Sequence, residues 1–253
     1  MAKNMSNEPL VSVITVVLNG EKTIERTIRS VLSQSYTNLE YLVLDGGSGD
    51  RTLEIIRRFE VDARLRWISE PDNGIADAWN KGINMSAGRI IGLINADDWY
   101  EKNAVEQIVE AWTGDAEIIC GNVRLWNSPE KFSMKRSSLK GIRSQMTIWH
   151  PGMFCTREIY WKIGLYDAGL KVLMDYDFVI RSILRGAKFT FPDNTVANMS
   201  FGGLSNQMIS KSMNEALAIK NKYFGRRFIH YFEYVFFQIY FHLIIHVKKM
   251  IYA

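Results

Sequence analysis

From Leu10 to Val123, short runs of β-branched residues alternate with amphipathic stretches. This alternation limits the chain to a mainly parallel sheet covered by helices on both faces. "LVSVITVVL" reads as a buried strand, and "GEKTIERTIRSVLSQ" puts Ile24, Ile28, Val31 and Leu32 on one helical face. "LEYLVLD" is a second strand ending at Asp45, and "GGSGD" turns into the helix "RTLEIIRRF". A third strand, "LRWIS", precedes a helix "NGIADAWNKGINMSAG" closed by Gly88, and "RIIGLIN" is the fourth strand. A helix near Lys102–Trp112 leads to a fifth strand, "AEIICGNV".

Such sheets do their chemistry at the carboxyl ends of the strands. Asn19, Asp45 and the pair Asp97/Asp98 all fall at those ends. "LDGGSGD" lacks the GxxxxGK[ST] spacing of a phosphate loop, and its GxG is a weak dinucleotide signal. Ser48 or Asp50 is expected to cap the next helix, which leaves Asp45 able to accept hydrogen bonds from a base or ribose. Asp97 and Asp98 have two readings. They either complement the dipole of the following helix or, leaving an apolar strand as hard oxygen ligands, hold Mg²⁺ or Mn²⁺ against a diphosphate.

Residues 124–146, "RLWNSPEKFSMKRSSLKGIRSQM", are polar, Ser-rich and basic, and read as a mobile excursion. Beyond them, "LMDYDF" carries Asp175 and Asp177 at a helix start. One of the two is expected as a cap and the other, on a different side of the helix, as a candidate general base. His150 in "WHPG" is either structural or turned toward a pocket.

With 253 residues, 47% hydrophobic and 23% charged, the chain can bury a full core, so disorder is excluded as its default state. Cys120 and Cys155 show no zinc spacing and read as buried thiols in a reducing compartment. "MAKNMSNEPL" has no apolar signal region, which points to the cytoplasm. Net charge is +4, and the segment from Lys211 onward holds seven Lys/Arg against two Glu, so the remainder is about neutral. Charge gathered at one aromatic-rich end suits a membrane surface better than nucleic acid. The tail "FIHYFEYVFFQIYFHLIIHVKKMIYA" has too short an uncharged window to span a bilayer, so it reads as an interfacial helix or one docked on the domain or on a second subunit.

In order and spacing, "VSVITVVLNGEKTIERTIRSVLSQSYTNLEYLVLDGGSGDRTLEII", "SEPDNGIADAWNKGINMSAGRIIGLINADDWY" and "GLYDAGLKVLMDYDFVIRSILRGAKF" resemble the family 2 glycosyltransferases with the GT-A fold. The similarity covers residues 10 to about 205. Its middle segment is closest to the branch that builds bacterial exopolysaccharide and O-antigen units, such as the colanic acid transferases. The resemblance implies an α/β GT-A domain over 1–205, with a nucleotide-binding half at about 10–123 and an acceptor half at about 147–205. A helical, membrane-associating extension is expected over 206–253.

The implied reaction is inverting transfer from a nucleotide-diphosphate sugar, a UDP-sugar by first expectation. The acceptor is a glycan or a polyprenyl-diphosphate-linked sugar at the cytoplasmic membrane face, and a homo-oligomer is compatible with this. Carried over by position, Thr15, Val17, Asn19, Asp45, Asn80, Asn95 and Asp97 bind the donor. Asp97 and Asp98 hold the metal, Mn²⁺ or Mg²⁺, and Asp175 is the catalytic base. His150, Gly202 and Gly203 belong to the acceptor side or to a closing loop, "SFGGLSN".

The sequence departs from the family at four places. Asn95 replaces the first aspartate of the DxD motif, Met174 the glutamate before the base, Trp79 an arginine and Phe201 a histidine. Two other readings fit parts of the pattern: a nucleotidyltransferase, and a sugar-nucleotide-binding assembly subunit without catalysis. The first lacks its expected glycine-rich basic loop after strand one, and the second would leave Asp97 and Asp175 without work.

Overall fold

The computed structural model describes residues 8–200, 202 and 208–236. They divide into two compact units, Met1–Phe201 and Gly202–Ala253. In the first unit the chain forms β1 (Val11–Val17), α1 (Ile24–Leu32), β2 (Leu39–Asp45), α2 (Thr52–Arg57), β3 (Leu65–Ser69), α3 (Ile75–Met85) and β4 (Ile90–Asn95). It continues through β5 (Trp99–Tyr100), α4 (Ala104–Ala111), β6 (Ile118–Cys120), β7 (Asn122–Ser128), β8 (Lys131–Lys135) and β9 (Met153–Thr156). It ends with α5 (Arg157–Ile163), α6 (Met174–Leu184), β10 (Phe189–Thr190) and β11 (Thr195–Ser200).

Seven strands make the main sheet, in the order β10-β6-β9-β4-β1-β2-β3. β1 is buried at every position, as a continuous apolar strand covered on both faces must be. α1 turns Ile24, Ile28 and Val31 into the core, with Leu32 packed at its margin. The register aligns the strand ends: Val17 pairs with Asp45, and Val16 with Asn95. The polar residues that follow each strand therefore emerge on one edge.

β9 alone runs against its neighbours β4 and β6. Its beginning, and the 3-10 turn His150–Gly152 before it, consequently lie at the edge where β1, β2 and β4 end. The fully buried Phe154 of β9 sits over Gly92 of β4, its register partner. A Cβ on Gly92 would run into that ring.

Three expectations require correction. The segment 124–146 is no unstructured excursion: β7 and β8 form an antiparallel hairpin, and together with β5 and β11 they build a four-stranded sheet in the order β5-β11-β7-β8. Apolar residues alternate with polar ones in β8 (Phe132, Met134) and in the first half of β7 (Val123, Leu125), and the basic residues around them obscured that period. The fifth strand divides into β6 and β7, which enter different sheets. Gly88 does not close α3, which ends at Met85 with Ser86 extended; Gly88 instead lies against Ser12, whose Oγ accepts its N–H at 2.7 Å.

The second unit holds α6's successor in the chain, α7 (Ile209–Phe224), and a further helical stretch at 228–236. Lys220 Nζ meets Glu233 Oε2 at 2.7 Å, and Tyr234 donates to Asn214 Oδ1 at 2.8 Å, so the two helical stretches lie side by side. Phe228 (85% exposed), Ile229, Phe232 and Val235 stand in solvent beside Arg226 and Arg227. Residues 237–253, with most of the aromatic tail, lie outside the described residues. Among the described residues no helix is long and apolar enough to cross a membrane.

Candidate active site

The first wall of the site is the junction of β1 and β2. Asn19 is the sole non-glycine residue with positive φ among the described residues, at 52°. Its amide oxygen accepts from Gly49 N at 2.9 Å, and its own N–H donates to Ser48 Oγ at 2.7 Å. Asn tolerates this backbone better than other side chains because its short amide can bond locally.

Asp45, buried at the end of β2, receives Gly47 N, Ser48 N and the Ser69 hydroxyl on Oδ2, and the Ser48 hydroxyl on Oδ1. It thus shapes the Gly47–Gly49 turn from inside. Asp50 receives Thr52 N at 3.0 Å and so meets the free end of α2, while Ser48 belongs to the Asp45 cluster. Arg51 holds the formal cap position.

Two residues expected at the donor have their side chains bonded within the fold. Thr15 is fully buried within β1, its hydroxyl accepting from Tyr41 OH at 2.9 Å, because it lies two residues short of the strand end. Asn80 on α3 closes both ends of its amide on the backbone of Tyr166, at 2.8 and 3.0 Å. It fastens α3 to the segment ahead of α6. Val17 ends β1 level with Asp45.

The second wall is the turn after β4. Asp98 is 3% exposed and Asp97 more open. Burial pushes the carboxyls of both upward, Asp98 well above the usual range with Asp97's charge adding to it, while Arg26 opposes the rise. Asp98 Oδ1 accepts from Ser200 N at 3.3 Å, and its Oδ2 lies 3.7 Å from His150 Nε2. Burial pulls His150 down to about 4, so the imidazole is neutral. The rings of Trp79 and His150 are 5.4 Å apart, and those of Trp79 and Tyr166 5.1 Å. Trp79 Nε1, His150 Nε2 and Asn95 Oδ1 are buried polar atoms without a hydrogen-bond partner, a pattern that marks a place for water or ligand.

The third wall is the first turn of α6. Leu173 occupies the cap position, so neither Asp175 nor Asp177 is the cap. Asp177 is buried and receives Arg181 Nε at 2.7 Å, and the same guanidinium holds the carbonyls of Ile163, Gly164 and Leu165. Asp175 is half-buried, and its charge is near enough to Tyr166 to oppose ionisation of that phenol. A run of neighbours, Tyr166, Trp79, His150 and Asp98, therefore connects the Asp175 turn to the carboxylate turn. Gly202 has φ +100°, which favours glycine there; Gly203 and Phe201 lie outside the described residues.

Among the described residues no three His, Cys, Asp or Glu side chains converge as a metal cluster. Magnesium-type sites, however, commonly use one or two carboxylates and take their remaining ligands from water and substrate phosphates. The more open Asp97 carboxylate and the unpartnered Asn95 amide oxygen, both hard donors, fit that kind of open site.

The model of Glycosyl transferase family 2 matches residues 12–186. The chain belongs to this family. Glycosyltransferase-named relatives support the same assignment: an uncharacterized glycosyltransferase of Mycobacterium tuberculosis is 30% identical over 195 residues, covering 71% of each chain. A PGL/p-HBAD biosynthesis glycosyltransferase of Mycobacterium bovis is 28% identical over 222 residues, 85% of this chain and 86% of its own.

Two solved structures share the GT-A fold. TarS residues 1–349 of S. aureus, in complex with UDP-GlcNAc, superimposes with a TM-score of 0.67 at 16% identity, over 83% of this chain and 66% of that one. The mannosyltransferase PcManGT from Pyrobaculum calidifontis, in complex with GDP-Man and Mn²⁺, gives 0.66 at 18% identity, over 85% and 64%. This family 2 glycosyltransferase thus spans just under two thirds of either solved chain.

One set of contacts to the carboxylate turn was not read from the sequence. Arg26 and Thr27 point out of α1 toward the carboxylate turn, and a polar pair beside the helix's apolar stripe was the available clue.

Proposed function

We propose that the protein transfers a glycosyl unit, with inversion, from a nucleoside-diphosphate sugar to a hydroxyl of a glycan or lipid-linked acceptor in cell-surface polysaccharide synthesis. Asp175 is the base. It takes the acceptor's hydroxyl proton as that oxygen bonds to the anomeric carbon, and the nucleoside diphosphate departs with the electron pair of the broken C–O bond. Asp97, with the Asn95 amide oxygen, would hold a divalent cation, Mn²⁺ or Mg²⁺, which neutralises charge on the departing diphosphate. The Asn19–Asp45 turn receives the nucleoside, and Asp98 with His150 backs the carboxylate turn from inside the fold.

The observation that carries this reading is the division of labour on α6: Asp177 is consumed by Arg181, while Asp175, two residues earlier, faces a different side. A UDP-sugar is the first donor to try, since the TarS neighbour was solved with UDP-GlcNAc. The branch that builds exopolysaccharide is the class of pathway proposed. The exposed aromatics at 228–236 and their flanking arginines support attachment to the cytoplasmic face of a membrane through the second unit.

The test is Asp175→Asn. Calorimetry should find donor binding retained, while transfer falls by about 10²- to 10⁴-fold. Full transfer by the variant on an acceptor that the unmodified protein uses would remove Asp175 from the role of base.

A further inference from the structure

A line of polar side chains on α1 grips the backbone of the carboxylate turn. Arg26 Nη2 donates to the carbonyl of Asp97 at 2.7 Å and to Ser200 Oγ at 3.2 Å. Ser200 Oγ donates to the same Asp97 carbonyl at 3.0 Å, which closes a three-membered node. Thr27 Oγ1 lies 2.9 Å from the carbonyl of Ala96 and 2.6 Å from that of Asp98. Ser30 Oγ accepts Tyr100 N at 3.1 Å, and Gln34 Nε2 donates to the Glu101 carbonyl at 2.7 Å.

Thr27 is fully buried and Gln34 nearly so, as expected of groups that hold a fold together. Arg26 differs. Its side chain is exposed at the edge, its guanidinium carbon lies over the Trp99 ring at 3.6 Å from the centroid, and its charge is felt by both Asp97 and Asp98. It is the member of the line that joins the carboxylate turn to the end of β11, two residues before Gly202.

We propose that Arg26 is a positioning residue of the donor site, fixing the Asp97 backbone and the Ser200 end of β11 together so that the Asp97 carboxylate is presented to the cation and diphosphate. This rests on the reading of Asp97 as the carboxylate that faces them. A planar guanidinium serves both acceptors while stacked on an indole, which an ammonium does not reproduce. Loss of such outer-shell support lowers metal affinity by about tenfold or more.

The test uses the full chain with Arg26→Met and Arg26→Lys, and Mn²⁺ with UDP, or with GDP if UDP does not bind, as probes. In Arg26→Met, hydrogen exchange across residues 96–101 should quicken by about tenfold, since the hold on the turn is gone. Mn²⁺-dependent nucleotide binding should weaken by about tenfold while metal-free binding stays as in the unmodified protein, and Arg26→Lys should restore part of the loss. Unchanged exchange and unchanged metal dependence in Arg26→Met would overturn the proposal. So would a lowered melting temperature with binding lost equally with and without Mn²⁺ and no recovery in Arg26→Lys, which would make Arg26 a stabilising residue only. If the unmodified protein binds neither nucleotide with Mn²⁺, the reading of Asp97 fails and the donor-site role of Arg26 with it, and the exchange measurement then decides the clamp alone.

Discussion

Two aspartates two residues apart show how position on one helix turn separates roles. Asp177 is buried against the partly buried Arg181, and removing one partner of such a pair leaves the other charge uncompensated. Asp177→Ala should therefore lower the unfolding free energy by about 3 to 5 kcal/mol in denaturant titrations, with activity per folded molecule kept. Asp175→Asn should do the reverse, sparing stability and removing turnover. The i, i+2 spacing made the separation legible in the sequence, since such residues cannot share a helix face. The cap was not legible, because caps depend on the backbone approach, and Leu173 occupies that place. The partners of Thr15 and Asn80 were not legible either: which polar group a buried hydroxyl or amide meets, here Tyr41 and Tyr166, is decided across the fold and leaves no local trace.

At the scale of elements, β4 and β9 meet at Gly92 and Phe154. A methyl group placed on Gly92 would overlap the ring, and overpacking of a filled core costs about 1–3 kcal/mol. Gly92→Ala should accordingly melt several degrees lower, and a melting temperature equal to that of the unmodified protein would show that the ring has room to shift. The parallel strands were readable because each is a short buried run followed by an amphipathic helix. β9 was hidden, since "MFCT" is four residues long and its partners β4 and β6 lie far from it in sequence. The β7–β8 hairpin was masked by Lys131, Lys135 and their neighbours, a composition that local reading assigns to loops.

For the whole molecule, the family was legible because three motifs keep their order over most of the first unit. The second unit carries Phe228, Ile229, Phe232 and Val235 outward beside a basic turn, an arrangement suited to an anionic bilayer surface. Deleting residues 226–253 should abolish flotation with anionic vesicles, while added salt should weaken flotation of the full chain. A truncated protein that floats as before would place the contact elsewhere.

The ends of both sheets bear on what else this protein can join. Among the described residues, the main sheet ends with β10, of two residues, on one side and with β3, which carries Arg66, on the other. The smaller one closes with β5, also of two residues, and with β8, which carries Lys131 and Lys135. Short or charged margins offer a poor template for another strand. Copies of this chain are thus discouraged from joining their sheets edge to edge, and a pairing of subunits would be expected to use helices or loops.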